Sequence, residues 1–304
     1  MKAKLMPYRV SFPPLTRPLL VMDICTIGFI NQREQIRREG NKKENKRLQE
    51  LIAYAQARTH RFSFILAIIE KATDVIHPMS SVQMVERFMK DYGMIRGLIH
   101  ENDIVERPDT LPDLIRMYMD ESYRIEERAE LKLHDYLAFL TAFDSLDIRT
   151  DPNDDDEILE KARQVAKIAA QLDIAPCHPV VIVCMASVCG CKDARRILRR
   201  KKGVFNASNA YGDILSFQRM ARVRYEIHKI YPELEILFRT EDWGLENMHT
   251  YYSYVITNVG DEGEHFGRSK FSDKKMFPLF FTKKRGRDKQ KLKAVYDLLA
   301  IEYS

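Results

Sequence analysis

Acidic side chains stand at or near the ends of several short apolar segments of this sequence. Asp23 follows the segment Leu19–Met22, Glu70 follows FILAII, Asp213 follows NASNAYG at the start of a predicted helix, and Asp242 follows EILFRTE. A buried, ionised carboxylate without a partner would cost several kcal/mol. We therefore expect Asp23 to be solvated at a strand end, hydrogen-bonded, or bound to a cation.

The four acids would meet if their segments lie side by side in an α/β sheet. The carboxyl ends of parallel strands and the adjacent helix starts converge on one edge of such a sheet, the usual position of a ligand crevice. Several carboxylates approach one another only around a cation, and hard oxygen ligands favour Mg²⁺ or Mn²⁺ over zinc. Such ions activate water and stabilise the leaving oxygen of a phosphodiester. The pattern predicts phosphodiester hydrolysis, with these acids as metal ligands and catalytic residues: Asp23, Glu70, Asp213 and Asp242.

Each acid also has an ordinary structural interpretation, and these alternatives stay open at the level of sequence. Asp213 could cap its helix and Asp242 could belong to a turn beside Gly244, because aspartate is favoured at both kinds of position. Glu70 could lie on the surface of a helix. Asp193, in the segment CKDARR, is an alternative third ligand.

The segments around these acids indicate an α/β chain with much helix. Short apolar runs at 19–22 and 236–238 are typical of strands, and amphipathic patterns between 80 and 146 predict helices. The segment RFSFILAIIEKATD is either a strand that leads into a helix or a buried helix. The segment HPVVIVCMASVCGCKDARR leaves a similar choice, between a strand followed by a helix and a helical hairpin.

Composition limits the class of protein. The chain has 304 residues, 45% of them apolar, and its formal net charge of +5 does not by itself indicate a nucleic-acid partner. It has no uncharged apolar run of about 18 residues, and its five cysteines suit reduced thiols, so we expect a cytoplasmic protein. Zinc at Cys189 and Cys191 is less favoured, because paired zinc thiolates usually have two residues between them.

The order of the acids resembles that of the PIN-domain nucleases. In that family an aspartate follows the first strand, a glutamate follows a second apolar segment, and aspartates begin a late helix and follow the next strand. Asp23 and Glu70 match the first two, Asp213 in YGDIL resembles the third, and Asp242 in LFRTEDWG resembles the fourth, where Thr or Ser commonly precedes the acid. The resemblance implies a short parallel sheet sandwiched by helices that gathers the acids around Mg²⁺ or Mn²⁺.

The sequence departs from the family pattern at two points. Cys25 stands where an asparagine commonly follows the first aspartate by two residues. The interval from Glu70 to Asp213 is longer than in compact members. It implies a single PIN-like domain over 1–304, with a substantial, mainly helical insertion at about 80–175 and a basic C-terminal extension at about 255–304.

The sequence-based hypothesis is thus a Mg²⁺- or Mn²⁺-dependent nuclease that hydrolyses single-stranded or structured RNA as an endoribonuclease. The basic segments RREGNKKENKR, RRILRRKK and TKKRGRDKQK would contact phosphates if they lie around the acidic crevice. The resemblance implies a role in toxin–antitoxin systems, RNA processing or antiviral defence, with a second copy or an inhibitory protein as possible partners. The alternative is a non-catalytic helical scaffold or regulatory module that binds proteins through its amphipathic middle helices.

Overall fold

The computed structural model describes residues 16–72, 79–119, 132–146, 155–200, 203–259, 265–282 and 286–303. These residues form a mainly helical α/β structure, in which a short three-stranded parallel sheet lies among helices and a small antiparallel hairpin is added. The α/β class predicted from the sequence is confirmed. In the described part of the chain, no helix is long and apolar enough to cross a membrane.

Most of the described chain is helical, and several helices begin at side-chain caps. Asn41 and Ser80 both form capping boxes, with Glu44 and Gln83 respectively, which satisfy backbone N–H groups of the first turn. The helices, numbered in chain order, are α1 (Ile24–Asn31), α2 (Arg33–Glu39), α3 (Lys42–Ala57), α4 (Ile65–Ala72), α5 (Ser81–Arg96), α6 (Leu111–Met119), α7 (Leu133–Ser145), α8 (Asp155–Gln171), α9 (Pro179–Val188), α10 (Lys192–Ile197), α11 (Ala207–His228), α12 (Trp243–His249), α13 (Asp273–Met276) and α14 (Lys289–Leu298).

The strands form one parallel sheet and two antiparallel pairs. They are β1 (Leu19–Met22), β2 (Arg61–Ser63), β3 (Ile236–Arg239), β4 (Tyr252–Val259), β5 (His265–Phe271), β6 (Phe281–Thr282) and β7 (Gly286–Arg287). The parallel sheet has the order β2-β1-β3, and Leu19 of the central strand lies opposite Arg61 and Ile236. All four residues of β1 are buried, as expected for a central parallel strand covered on both faces.

Contacts divide the chain into two compact units. Of the described residues, 16–119 and 222–241 belong to the first unit, and 132–221, 242–259 and 265–303 belong to the second. The predicted insertion does not coincide with these boundaries, because α5 and α6 belong to the first unit, where α5 contacts α1, α4 and α6. Parts of the predicted insertion and extension lie outside the described residues, namely 120–131, 147–154, 260–264, 283–285 and 304.

The core of the first unit forms between the parallel sheet and the helices α1 and α3–α6. The rings of Phe64 and Phe88 stack there with their centroids 6.2 Å apart. Fully burying a side chain of this size stabilises the fold by about 1.5–3 kcal/mol. The segment RFSFILAIIEKATD, ambiguous in the sequence, is a strand followed by a helix over its described residues 61–72, and Phe62, Phe64 and Ile68 enter this core.

The second unit is organised around α9, all ten of whose residues are buried. Its start is fixed by His178, whose Nδ1 accepts a hydrogen bond from the backbone N–H of Val180 at 3.2 Å, and by Pro179 at the first helical position. A helix that is apolar on every side must be surrounded, and α9 contacts α7, α8 and α10. The helical alternative for HPVVIVCMASVCGCKDARR is therefore the one that the structure adopts.

Candidate functional site

Asp23 lies at the carboxyl edge of the parallel sheet, directly after the central strand β1. Its backbone N–H donates to the carbonyl oxygen of Arg239 at 3.2 Å, and its side chain then begins α1. The Oδ1 atom accepts a hydrogen bond from the backbone N–H of Thr26 at 2.8 Å. The residue is only 6% exposed. Asp23 is therefore both a strand-end acid, as predicted, and the N-cap of a helix.

Burial changes the protonation of Asp23. Burial, with a smaller contribution from the charge of Glu70, raises the pKa of this carboxyl group from 3.8 to about 7, although hydrogen bonds from Thr240 and Thr26 oppose the rise. Within the described part of the chain, no basic side chain lies at ion-pair distance from the Asp23 carboxylate. Near neutral pH, Asp23 is thus a buried acid whose charge lacks a cationic partner among these residues.

Glu70 lies near the end of α4, a helix that contacts both β1 and α1. Ile68, Ile69 and Ala72 of the same helix are buried, whereas Glu70 is half-buried. Its influence on the pKa of Asp23 shows that the two carboxyl groups interact electrostatically. The structure therefore brings together Asp23 and Glu70, two of the four acids of the predicted site.

Two buried threonines accompany Asp23. Thr240 follows β3 and Thr26 lies in the first turn of α1, and both are fully buried. The hydroxyl of Thr26 donates to the carbonyl oxygen of Arg239 at 3.0 Å, which ties α1 to the end of β3. In the sequence, Thr240 stands out only as the residue that precedes Glu241 and Asp242, the two acids after β3. Its hydrogen bond to Asp23 depends on the pairing of β1 with β3.

A buried ionic network occupies the end of β3. Arg47 donates from Nε to Glu241 at 2.6 Å and from Nη2 to the carbonyl oxygen of Thr240 at 2.5 Å. Arg239 donates from Nε to the other oxygen of Glu241 at 3.1 Å. Both arginine side chains are more than nine-tenths buried. The Glu241 carboxylate therefore forms ion pairs with the guanidinium groups of both Arg47 and Arg239.

Glu106 is a further acid at this edge that the sequence analysis missed. It is buried and accepts hydrogen bonds from the hydroxyl of Ser63 and from the backbone N–H of Phe64, the latter at 2.9 Å. Burial raises the pKa of Glu106 to about 7. Ile104, two residues earlier, forms a parallel bridge with Phe62 of β2. Glu106 thus also follows a short apolar segment, residues 104–105, which is the same sequence feature by which Asp23 was selected.

Asp242 and Asp213 lie in the second unit. Asp242 is the N-cap of α12, and its Oδ1 accepts hydrogen bonds from the backbone N–H groups of Gly244 and Leu245 at 2.8 and 3.1 Å. Asp213 does not begin its helix, so this part of the prediction is wrong. Helix α11 begins at Ala207, because Asn206 provides a side-chain acceptor for the backbone N–H of Asn209 at 3.0 Å.

Asp193, the alternative ligand, lies in the first turn of α10, also in the second unit. Its Oδ2 accepts a hydrogen bond from the hydroxyl of Tyr251 at 3.0 Å. Its Oδ1 lies 3.3 Å from Nη1 of Arg196 and 3.4 Å from Nδ2 of Asn247. Both carboxylate oxygens of Asp193 are therefore engaged within the second unit.

The predicted acids are thus divided between the two units, and their convergence on one ion stays a prediction. Asp23 and Glu70 belong to the first unit; Asp193, Asp213 and Asp242 belong to the second. Among the residues that the structure describes, no three His, Cys, Asp or Glu side chains are grouped so that they could hold a metal ion. A cation in the first unit would therefore have Asp23 and Glu70 as its carboxylate ligands.

Comparison with known proteins gives no relative from which a function could be transferred. No family model matches the chain, and no curated protein and no solved structure matches it. The resemblance to PIN-domain nucleases therefore depends on the pattern of acids alone.

Proposed function

We propose that this protein is a Mg²⁺- or Mn²⁺-dependent nuclease whose site lies at the carboxyl edge of the parallel sheet in the first unit. The observation that carries the proposal is Asp23, a buried carboxyl group at the end of the central strand whose pKa is raised to about 7 by burial. This edge is where ligands bind in open α/β sheets. A cation beside Asp23 would stabilise its ionised form and offset the cost of burying it.

The residues present suit a magnesium-type ion. Mg²⁺ is commonly held by one or two carboxylates, with water and substrate phosphate completing its shell. Asp23 and Glu70 supply two carboxylates whose mutual repulsion a cation would relieve. When bound, such an ion supplies an activated water and stabilises the charge that develops on the leaving oxygen of a phosphodiester. The residues Asp213, Asp242 and Asp193 remain further ligands predicted by the resemblance.

Residues of this chain would hold Asp23 in position. The backbone N–H of Thr26 fixes Oδ1 at 2.8 Å, and the hydroxyl of Thr240 also bonds to the carboxyl group. Arg47 and Arg239 bind Glu241, which holds the end of β3 in place beside β1. This arrangement would leave the carboxylate little rotational freedom, as a ligand that must keep a fixed geometry requires.

RNA is the proposed substrate because exposed basic side chains belong to the same unit. Arg37, Arg38, Lys42 and Lys46 are exposed on α2 and α3, two of the three helices between β1 and β2. Contacts of such side chains with phosphates would make binding weaken steeply as salt is added. The resemblance also implies RNA as the substrate, because many members of the family cut RNA.

The test compares the wild-type protein with Asp23→Asn on labelled single-stranded RNA and DNA, with Mn²⁺ or Mg²⁺ and with EDTA. We expect metal-dependent cleavage of RNA that falls by at least about 100-fold in Asp23→Asn. Asp113→Asn is the matched control, because Asp113 is an exposed acid of the same unit that pairs with Arg116, and it should leave cleavage unchanged. Cleavage that survives both the substitution and EDTA would refute the proposal.

A second candidate is a non-catalytic module that binds another protein. It is favoured by α5, on which Val82 and Met89, seven residues apart and so on one face of the helix, are 65% and 38% exposed. In that case the chain would form a complex that Val82→Ser and Met89→Ser weaken, and no preparation would cleave RNA or DNA in the presence of Mn²⁺.

A further inference from the structure

A cavity of about 460 Å³ lies within the second unit, which does not contain Asp23. Its size is in the range of pockets that bind small molecules, which is about 300–1,000 Å³. Its wall combines two short helices, α10 and α13, with residues at the end of α12. The lining residues are Gly190, Cys191, Lys192, Asp193, Asn247, Thr250, Tyr251, Lys274, Lys275, Pro278 and Leu279.

Three lysines converge on this cavity without a carboxylate to neutralise them. Lys192, Lys274 and Lys275 all line it and are all exposed, and none of their ammonium groups forms an ion pair or hydrogen bond with any described residue. The ammonium group of Lys275 lies 5.1 Å from the centroid of the Tyr251 ring, a cation–π distance that holds it at the wall. An ammonium group offers up to three donors to an anion.

The one acidic residue of the lining does not cancel this charge. Asp193 is already engaged by Arg196, Asn247 and Tyr251, as its three contacts of 3.0–3.4 Å show. The charge of Arg196 offsets that of Asp193. Burial and the contacts with Cys191 and Asp193 raise the pKa of Tyr251, so its hydroxyl stays neutral and donates to Asp193. The three lysines therefore leave the wall positively charged.

Part of the cavity wall is apolar, and it is formed where Leu279 packs closely against the backbone of Gly190. Gly190 has φ of +92°, and a Cβ atom at this position would come within 2.6 Å of Cγ of Leu279. The backbone N–H of Leu279 also donates to the carbonyl oxygen of Cys189 at 3.2 Å. Glycine thus allows Leu279 and Pro278 to close one side of the cavity. An apolar surface beside three ammonium groups suits a ligand with an anionic end and an organic body.

We propose that this cavity binds a small organic polyphosphate, with its phosphate groups on Lys192, Lys274 and Lys275 and its organic part toward Pro278 and Leu279. Several phosphate groups provide enough negative charge to pair with three lysines. Hydrogen bonds from an ammonium group to a phosphate oxygen are stronger than hydrogen bonds between neutral groups. The volume of the cavity, about 460 Å³, is that of a small-molecule site. The proposal does not depend on the nuclease function, because the three lysines, Pro278 and Leu279 all belong to the second unit and Asp193 is not among the residues proposed to bind the phosphates.

Inorganic tripolyphosphate, titrated calorimetrically without divalent cations, tests the anionic part of the site. We expect one site per chain, an affinity that falls as salt is added, and binding at least about tenfold weaker in the double variant Lys274→Gln, Lys275→Gln. The matched control is Lys289→Gln, Lys293→Gln, which removes the same charge from exposed positions of α14 outside the lining and should bind like the wild type.

Adenosine triphosphate serves as the organic probe, and a short single-stranded RNA serves as the rival ligand. The proposal expects the triphosphate to bind at least as tightly as tripolyphosphate, with the same dependence on the two lysines. Absence of binding, or equal weakening in both double variants, would overturn it. Lysine-dependent binding of RNA alone would also overturn it, in favour of a nucleic-acid surface. Circular dichroism of each variant excludes unfolding as the cause of lost binding.

Discussion

The Oδ1 atom of Asp23 accepts a hydrogen bond from the backbone N–H of Thr26 at 2.8 Å, so the first acid of the sequence pattern is also the N-cap of α1. The structural and functional interpretations of Asp23 are therefore compatible. A carboxylate has two oxygens, and capping engages only part of its capacity to accept hydrogen bonds or bind a cation. A substitution that keeps the helix cap but removes the negative charge of Asp23 therefore distinguishes the two roles.

Asp23→Asn and Asp23→Ala should differ in stability at pH 8. Asparagine caps a helix about as well as aspartate, and it removes the cost of a buried charge, so Asp23→Asn should be as stable as the wild type or more stable. Asp23→Ala loses the cap and should unfold more easily than Asp23→Asn by about 0.5–2 kcal/mol. Urea unfolding without divalent cations measures this difference. Equal destabilisation by both substitutions would contradict the cap.

Glu106 should make the stability of the fold depend on pH. Its pKa is raised by burial from 4.5 to about 7, so the folded chain keeps this proton at pH values where the unfolded chain has lost it. The free energy of unfolding should therefore fall as pH rises from about 4.5 to 7. Glu106→Gln removes this contribution, which is roughly 3 kcal/mol at most.

The measurement is the difference in unfolding free energy between the wild type and Glu106→Gln at pH 5 and pH 8. Subtraction removes the parallel contribution of Asp23, which is common to both proteins. Arg61 is a charged neighbour to consider, since Glu106 influences its pKa. Glu101→Gln, at an exposed position, is the control and should leave the pH dependence intact. A pH dependence that is the same in Glu106→Gln as in the wild type would show that Glu106 titrates normally.

The sequence predicted the parallel sheet where its strands are simple apolar runs. Leu19–Met22 and Ile236–Arg239 are strands at nearly the predicted positions. The central strand β1 buries all four of its side chains, whereas the edge strand β3 leaves Leu237 and Phe238 half-buried. The run VVIVCMASV could not be assigned from periodicity, because a helix that is surrounded on all sides is as uniformly apolar as a buried strand. His178 and Pro179 mark its helical start, and this signal was available in the sequence.

The candidate site was predictable in part. Asp23 and Glu70 could be selected because both follow apolar segments that pack against each other in the first unit. The start of α11 was misplaced because Asn206, a good capping residue before Ala207, was assigned to a turn. The contacts of Asp193 with Asn247 and Tyr251 join positions more than 50 residues apart, so no local pattern could indicate them.

The ion pair between Arg47 and Glu241 should contribute to the stability of the first unit. Arg47→Met breaks a contact of 2.6 Å between two side chains that are about nine-tenths buried, and it also removes the hydrogen bond to Thr240. Glu241 keeps its ion pair with Arg239, so the loss should be that of charge-assisted hydrogen bonds, about 1.5–3 kcal/mol. Lys229→Met breaks an exposed pair with Glu226 and should cost less than about 1 kcal/mol. Similar losses in both variants would contradict this prediction.

Asp242 allows the predicted ligand role to be tested apart from its structural role. Asp242→Asn keeps a capping side chain for the N–H groups of Gly244 and Leu245, whereas Asp242→Ala should destabilise α12 by about 0.5–2 kcal/mol. If Asp242 is a ligand, as the resemblance implies, Asp242→Asn should lower metal-dependent RNA cleavage at unchanged thermal stability. Full cleavage by Asp242→Asn would contradict the predicted ligand role of Asp242.

Binding of Mn²⁺ tests the central claim most directly, because it requires no knowledge of the substrate. Electron paramagnetic resonance of a Mn²⁺ titration at pH 8 should show one ion bound per wild-type chain. Binding should be at least about tenfold weaker in Asp23→Asn and unchanged in Asp113→Asn. Equal Mn²⁺ affinity in the wild type and Asp23→Asn, or no binding by the wild type, would contradict a cation site at Asp23.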